Sequence, residues 1–268
     1  MTAHRADAVT APTWRRLTVP VSVLFIAAAI AWTAVVVISR GMGDMPGTMG
    51  LNVGAFLAVW ALMMTAMMLP TIMPFAALYT RTFTDHRSRR VLELALGYLL
   101  VWTIAGLPAY GLAWLGQELV TSRPAAGTAL AVAVFAVAGV YQLTPIKDRC
   151  LAHCRSPLGS LFAYGNYRGK LRDVRVGVSH GGFCLACCWA LMAILVTVGL
   201  MNVLAMVVLA AVVLAEKTVS WGPRLTRVIG IAALILAIAV VFRPSLAGGV
   251  QPMPTSPASD MTDTSMTS

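Results

Sequence analysis

The sequence predicts an all-α, polytopic transmembrane helix bundle, and three observations carry that expectation. Hydrophobic residues make up 59% of the 268 and charged residues only 11%. The mean hydropathy is +0.80, which is more apolar surface than a water-soluble domain of this size needs. Apolar runs near 20 residues recur along the chain and leave no stretch for a separate soluble domain; a run of that length crosses a bilayer core of about 30 Å as a helix. The basic residues are also distributed unevenly between successive loops.

Seven spans follow in order. The first, at about 19–39, has an apolar region longer than that of a secretory signal, and the ISRGMG after it lacks a small-x-small cleavage pattern. It therefore reads as an anchor behind a cytoplasmic segment, 1–18. The loop RGMGDMPGTMG opposes regular structure with its glycines and proline, and is expected to leave Met42, Met45 and Met49 exposed. The second span, about 53–79, contains WALMMTAMMLPTIMP. Met63 with Met67, and Met64 with Met68, are four apart and share a face. Pro70 and Pro74 interrupt the hydrogen-bond ladder, which is tolerated at membrane depth where the freed carbonyls face protein, water or a ligand.

The third span, about 91–115, has Glu93 near its inner end. The fourth, about 125–146, holds Gln142 and Thr144, polar groups expected to bond a neighbouring helix. The longest connection runs from Lys147 to Arg175, is basic, and has Tyr164 and Tyr167 among its charges. Spans at about 178–198, 203–220 and 226–242 complete the bundle. Residues 178–220 form one apolar run in which only Gly199 and Asn202 signal a turn, so six spans are the alternative. Glu216 and Lys217 near the end of the sixth are accounted for by snorkelling. The helical domain is 19–245, and 246–268, rich in Ser, Thr, Pro and Gly, is a disordered outer tail carrying Met253, Met261 and Met266.

With these spans the cations sort by side. Arg5, Arg15, Arg16, Arg81, Arg87, Arg89, Arg90, Lys147, Arg149, Arg155, Arg168, Lys170, Arg172, Arg175, Lys217, Arg224 and Arg227 fall on one side, against Arg40, Arg123 and Arg243 on the other. The positive-inside rule places the N-terminus in the cytoplasm and the C-terminus outside, in a bacterial cytoplasmic (inner) membrane. The net charge of +10 thus reports topology, and the expected partner is the lipid bilayer with no nucleic acid.

All five cysteines lie between 150 and 188. Cys150 and Cys154 stand with His153 in KDRCLAHCRSPL, and Cys184, Cys187 and Cys188 follow His180 in HGGFCLACC. On a helix, His180, Cys184 and Cys187 project within one narrow arc, with Cys188 at its border and Met192 one turn further. The fourth span enters the cytoplasmic loop just before one cluster and the fifth leaves it just before the other. Both clusters therefore reach the same inner surface. Soft thiolate and thioether donors select Cu(I) or, with imidazole, Zn(II), and neighbouring Lys147, Arg149 and Arg155 favour the ligating thiolate. The candidate metal ligands are thus Cys150, His153, Cys154, His180, Cys184, Cys187 and Cys188. Met63, Met64, Met67, Met68 and Met192 form a secondary path, although methionine is also a common core filler. No catalytic residue is assigned: a phosphate-binding Gly-rich loop, a Ser-His-Asp arrangement and an intramembrane chain of carboxylates are all missing from the sequence.

The motifs MMLPTIMP, YQLTPIKDRCLAHCRSPL and HGGFCLACCWALM, followed by NVLAMVVLAAVVLAEK, resemble a bacterial family of predicted metal-binding integral membrane proteins, a domain of unknown function. The matching motifs cover about 60–217. The resemblance implies a polytopic bundle with a metal site on these Cys and His positions, and supplies no activity.

The leading expectation is a membrane protein that binds Cu(I), before Zn(II), and moves it across the membrane or hands it to a cytoplasmic metal-handling partner. The alternatives are a thiol–disulfide redox protein using pairs such as Cys184/Cys187 and Cys150/Cys154, and a scaffold pinned by a structural metal.

Overall fold

In the computed structural model, residues 13–42, 47–83 and 86–247 are described. They form α1 (Thr13–Met42), α2 (Val53–Arg81), α3 (Arg87–Ser122), α4 (Pro124–Gln142), α5 (Pro145–Arg155), α6 (Pro157–Ala163), α7 (Arg172–Val198), α8 (Val203–Thr218) and α9 (Gly222–Phe242), with a short 3-10 turn, Pro244–Leu246. No strand occurs among the described residues. Six helices, α1, α2, α3, α4, α7 and α9, are long and apolar enough to cross a membrane, so by length and composition this is a multi-pass membrane protein. Large apolar side chains such as Phe25, Ile30, Ile104 and Ile238 stand exposed on the outer helix faces, as lipid-facing positions do.

The helix ends follow local chemistry. Asn52 caps α2 by accepting from the amide of Ala55 at 2.9 Å, and Asn202 caps α8 by accepting from that of Ala205 at 2.9 Å. The expected fourth span ends early, at Gln142. Thr144 takes an extended conformation and accepts from the Lys147 amide at 3.4 Å, with Pro145 at the first helical position. Thr144 therefore starts a separate helix, α5, instead of bonding a neighbouring one, and Cys150 and Cys154 ride on that helix. α2 continues through Pro70 and Pro74.

Gly199, at φ +122, ends α7 in a conformation that side-chain-bearing residues avoid. The chain then reverses. As many residues separate Cys184 from Gly199 as separate Asn202 from Lys217, and Lys217 Nζ lies 2.8 Å from Cys184 Sγ. α8, 16 residues long and about 24 Å in length, thus returns along α7 to the depth it left. It is shorter than the six membrane-length helices and is the element that the expected sixth span becomes.

α3 and α7 are the central pair and run parallel: Arg90 meets Asp173, and Gly177 and Gly181 lie against Leu94 and Tyr98. A Cβ on Gly97 would come within 2.2 Å of the Val174 carbonyl oxygen, and one on Gly177 within 2.1 Å of that of Leu94. The two backbones are therefore in direct contact, in the manner of small-residue interfaces between membrane helices. α2 packs on α3, α1 on α2, and α9 on α4.

One loop departs from expectation. Met49 is 5% exposed and Thr48 donates from its amide to Gln117 Oε1 at 3.2 Å, so these two residues fold onto α3 and Met49 is not exposed. The side chains of Met42 and Met45, and Met253, Met261 and Met266, lie outside the described residues, as do 248–268 of the expected tail.

Candidate metal centre

Four helices bring polar groups to one depth. Cys184 Sγ, fully buried on α7, lies 2.9 Å from the Tyr98 hydroxyl of α3 and 2.8 Å from Lys217 Nζ of α8. The Tyr98 hydroxyl also meets Thr71 Oγ1 of α2 at 3.1 Å and donates to the Met68 carbonyl at 3.3 Å. Lys217 Nζ donates to Thr71 Oγ1 at 3.3 Å. Snorkelling does not describe Lys217: only 8% exposed, it turns into the bundle toward a sulfur.

A second node adjoins the first. Lys147 of α5, with no exposed surface, donates to Glu216 Oε2 at 2.8 Å and to the Cys187 carbonyl at 2.5 Å. Gln142 Nε2 at the end of α4 donates to Glu216 Oε1 at 3.3 Å, meeting the expectation that Gln142 would bond a neighbouring helix. Glu216, 1% exposed, is likewise no snorkelling residue. Burial works against the Lys147 ammonium, but Cys188 and then Glu216 outweigh it and hold its pKa above the ordinary lysine value. Arg155 of α5 donates from Nη1 to the Glu216 carbonyl and from Nη2 to that of Ser220, closing the end of α8. Lys147 and Arg155 thus tie α5 down onto α8 and α7.

The consequence is the placement of Cys154. Its sulfur lies 3.9 Å from Cys187 Sγ, which is 3.2 Å from Cys188 Sγ. Sulfurs from α5 and α7 therefore meet, which the two sequence clusters left open, and all five cysteines are free thiols. Cys150, one turn earlier on α5, is half-buried.

The imidazoles form a neighbouring group. His180 stacks on Phe75 with centroids 4.5 Å apart and planes 8° from parallel. It is buried, and its Nδ1 has no hydrogen-bond partner among the described residues. His153 Nε2 lies 2.8 Å from the Tyr164 hydroxyl, and its ring stacks on Phe183 at 3.9 Å. The two rings are 6.4 Å apart. Burial lowers the His153 pKa, and burial, followed by Cys154, raises that of Tyr164. Tyr164 is thus a buried partner of a histidine, 4% exposed, and not one more polar group in a charged loop.

Met63, Met64, Met67 and Met68 are all buried in α2, and Met68 reaches the first node through its backbone carbonyl. Met192 lines an apolar cavity with Trp60, Trp102 and Trp189. Among the described residues, no three His, Cys, Asp or Glu side chains already surround a position for an ion. The approach is pairwise, sulfur to sulfur.

Tyr98, Thr71 and Tyr164 gave no sequence signal for this site. Lys217 and Glu216 did give one, as an adjacent charged pair closing an apolar run.

No curated protein and no solved structure matches the chain. A family model described as PpoB2, copper chaperone, matches residues 57–240. That stretch begins at α2 and ends in α9, and so takes in both nodes and every cysteine; the match covers well over half of the 268 residues, and the chain belongs to this copper chaperone family.

Proposed function

We propose that the protein carries copper as Cu(I) on thiolates at the α5–α7 junction, with Cys154, Cys187 and Cys188 as the principal donors. Cys184 lies one turn away beside Lys217, and His180 and His153 flank the sulfurs. The reading rests on one observation: the sulfur of Cys154, on a helix pinned by Lys147 and Arg155, lies 3.9 Å from that of Cys187. Thiolates are soft, tight ligands for Cu(I), and Zn(II) is the second choice. With the cationic ends of the helices in the cytoplasm of a bacterial inner membrane, this junction opens inward. Copper is then given to a cytoplasmic metal-handling protein after crossing past the α2 methionines, or received from one before crossing the other way. Membership in a copper chaperone family supports the cargo; the direction and the donor set are our reading.

The test is metal retention by the full chain in detergent after loading with Cu(I) under reducing conditions and dialysis. Wild type is expected to retain copper in preference to zinc, and Cys154→Ser with Cys187→Ser to fall to background. Equal retention by the double variant, or no metal on the wild type, removes the reading. The same sulfur contact would also allow a Cys154–Cys187 disulfide. A redox role predicts that mild oxidation crosslinks α5 to α7 reversibly with no copper bound.

A further inference from the structure

Because α3 and α7 run parallel, both begin at the same end of the bundle. Arg90 Nη1 in the first turn of α3 lies 3.3 Å from Asp173 Oδ2 in the first turn of α7. A helix start leaves amide groups without acceptors and carries about half a positive charge, and here two starts lie side by side. Neither brings a cap of its own: His86 and Leu171, which precede the two helices, make no side-chain capping bond.

Cations gather at the same place. A pocket of about 340 Å³ is lined by Arg89, Arg90, Arg168, Lys170 and Arg172, with Glu93 and Asp173 as its acids among the described residues. Both acids are already engaged. Glu93 pairs with Arg89 at 2.7 Å, and Asp173 accepts from the Tyr79 hydroxyl as well as from Arg90. Arg168 and Lys170, exposed on either side of Gly169 at φ +95, have no ion-pair partner among the described residues. Arg172 lies over the Phe83 ring at 5.1 Å, and its Nε is buried without an acceptor. A buried guanidinium donor with nothing to bond is costly unless an acceptor occupies the site.

We propose that this pocket binds an anionic phosphate group, held by Arg168, Lys170 and Arg172 over the paired starts of α3 and α7. Guanidinium forks and helix N-termini both suit phosphate oxygens. The site lies at the end of two membrane-length helices, where basic pockets meet lipid headgroups. The phosphate is therefore that of an anionic lipid or a soluble phosphate of the same chemistry. This site is separate from the sulfur junction and does not depend on copper.

The experiment is a thermal-shift titration of the full chain, stripped of lipid in detergent, with phosphatidylglycerol, phosphatidylcholine or inorganic phosphate. Stabilisation by phosphatidylglycerol alone assigns the lipid source; equal stabilisation by inorganic phosphate assigns the soluble one. In either case Arg168→Gln with Lys170→Gln is expected to weaken the response about 25-fold, roughly fivefold for each cation near the surface. Both residues are exposed, so the variant folds. Arg149→Gln, an exposed cation outside the pocket, leaves the response unchanged. The proposal is overturned if the double variant titrates like the wild type. It is equally overturned if phosphatidylcholine, whose phosphate is neutralised by choline, stabilises as well as phosphatidylglycerol.

Discussion

The α3–α7 pair is packed in two different ways along its length. In the halves where both helices begin, Gly97, Gly177 and Gly181 hold the backbones in contact, and Tyr98 and Cys184 meet Lys217 and Thr71 within one cluster. In the halves where both end, the pair opens around an apolar cavity of about 710 Å³ lined by Trp60, Trp102, Trp189 and Met192. Tyr98 of α3 and Lys217 of α8 can both reach the Cys184 sulfur only if the helices carrying them leave little volume between them. No cysteine, histidine or charged side chain is among the described residues lining that cavity, which therefore tolerates space. Close packing in this molecule follows the donors.

Three substitutions probe that contrast. The largest effect is expected at Glu216→Ala, which strands the Lys147 ammonium in a site with no access to solvent. Breaking a buried pair from one side costs about 3–5 kcal/mol, and a large drop in the thermal unfolding midpoint in detergent should follow. A shift of only a degree or two would mean that α5 is not held by this pair. Next is Gly177→Ala, whose new methyl group has the Leu94 carbonyl in its place; overpacking of this kind costs about 1–3 kcal/mol. The smallest effect belongs to Ala109→Leu at the cavity wall, expected to stay within about 1 kcal/mol of wild type in either direction because the added carbons enter open space. If Ala109→Leu destabilised as much as Gly177→Ala, the two halves would be packed alike and the contrast would fail.

Much of this could be read in advance. The apolar runs foretold the long helices because length and hydropathy alone decide whether a segment suits a bilayer. The turn at Gly199 and Asn202 was legible from the residue types, and the thiol clusters pointed to the α5–α7 meeting because their flanking spans had to return to one surface. Other residues were legible as types and misjudged as partners. Glu216 and Lys217 look like charges near a helix end, where snorkelling suffices. Their partners, Lys147 and Cys184, are 69 and 33 residues away, and no local pattern encodes that pairing. Thr144 looked like a polar group inside a span, yet with Pro145 beside it the local capping chemistry prevailed and created α5. Met49 looked exposed because its loop is rich in glycine, but Gln117 binds that loop to α3.

By itself, the sequence determined the class of solvent the chain lives in and the kind of metal its donors would favour, since both depend on composition and on spacing within single segments. Tertiary structure alone decided which donors meet. It turned Lys217 and Glu216 inward, set Cys154 against Cys187, and placed the starts of α3 and α7 together. The physical reason is that contact between helices depends on how closely their backbones approach and at what depth each one turns, and Gly97, Gly177 and Gly199 exert that control only once their neighbours from elsewhere in the chain are in place.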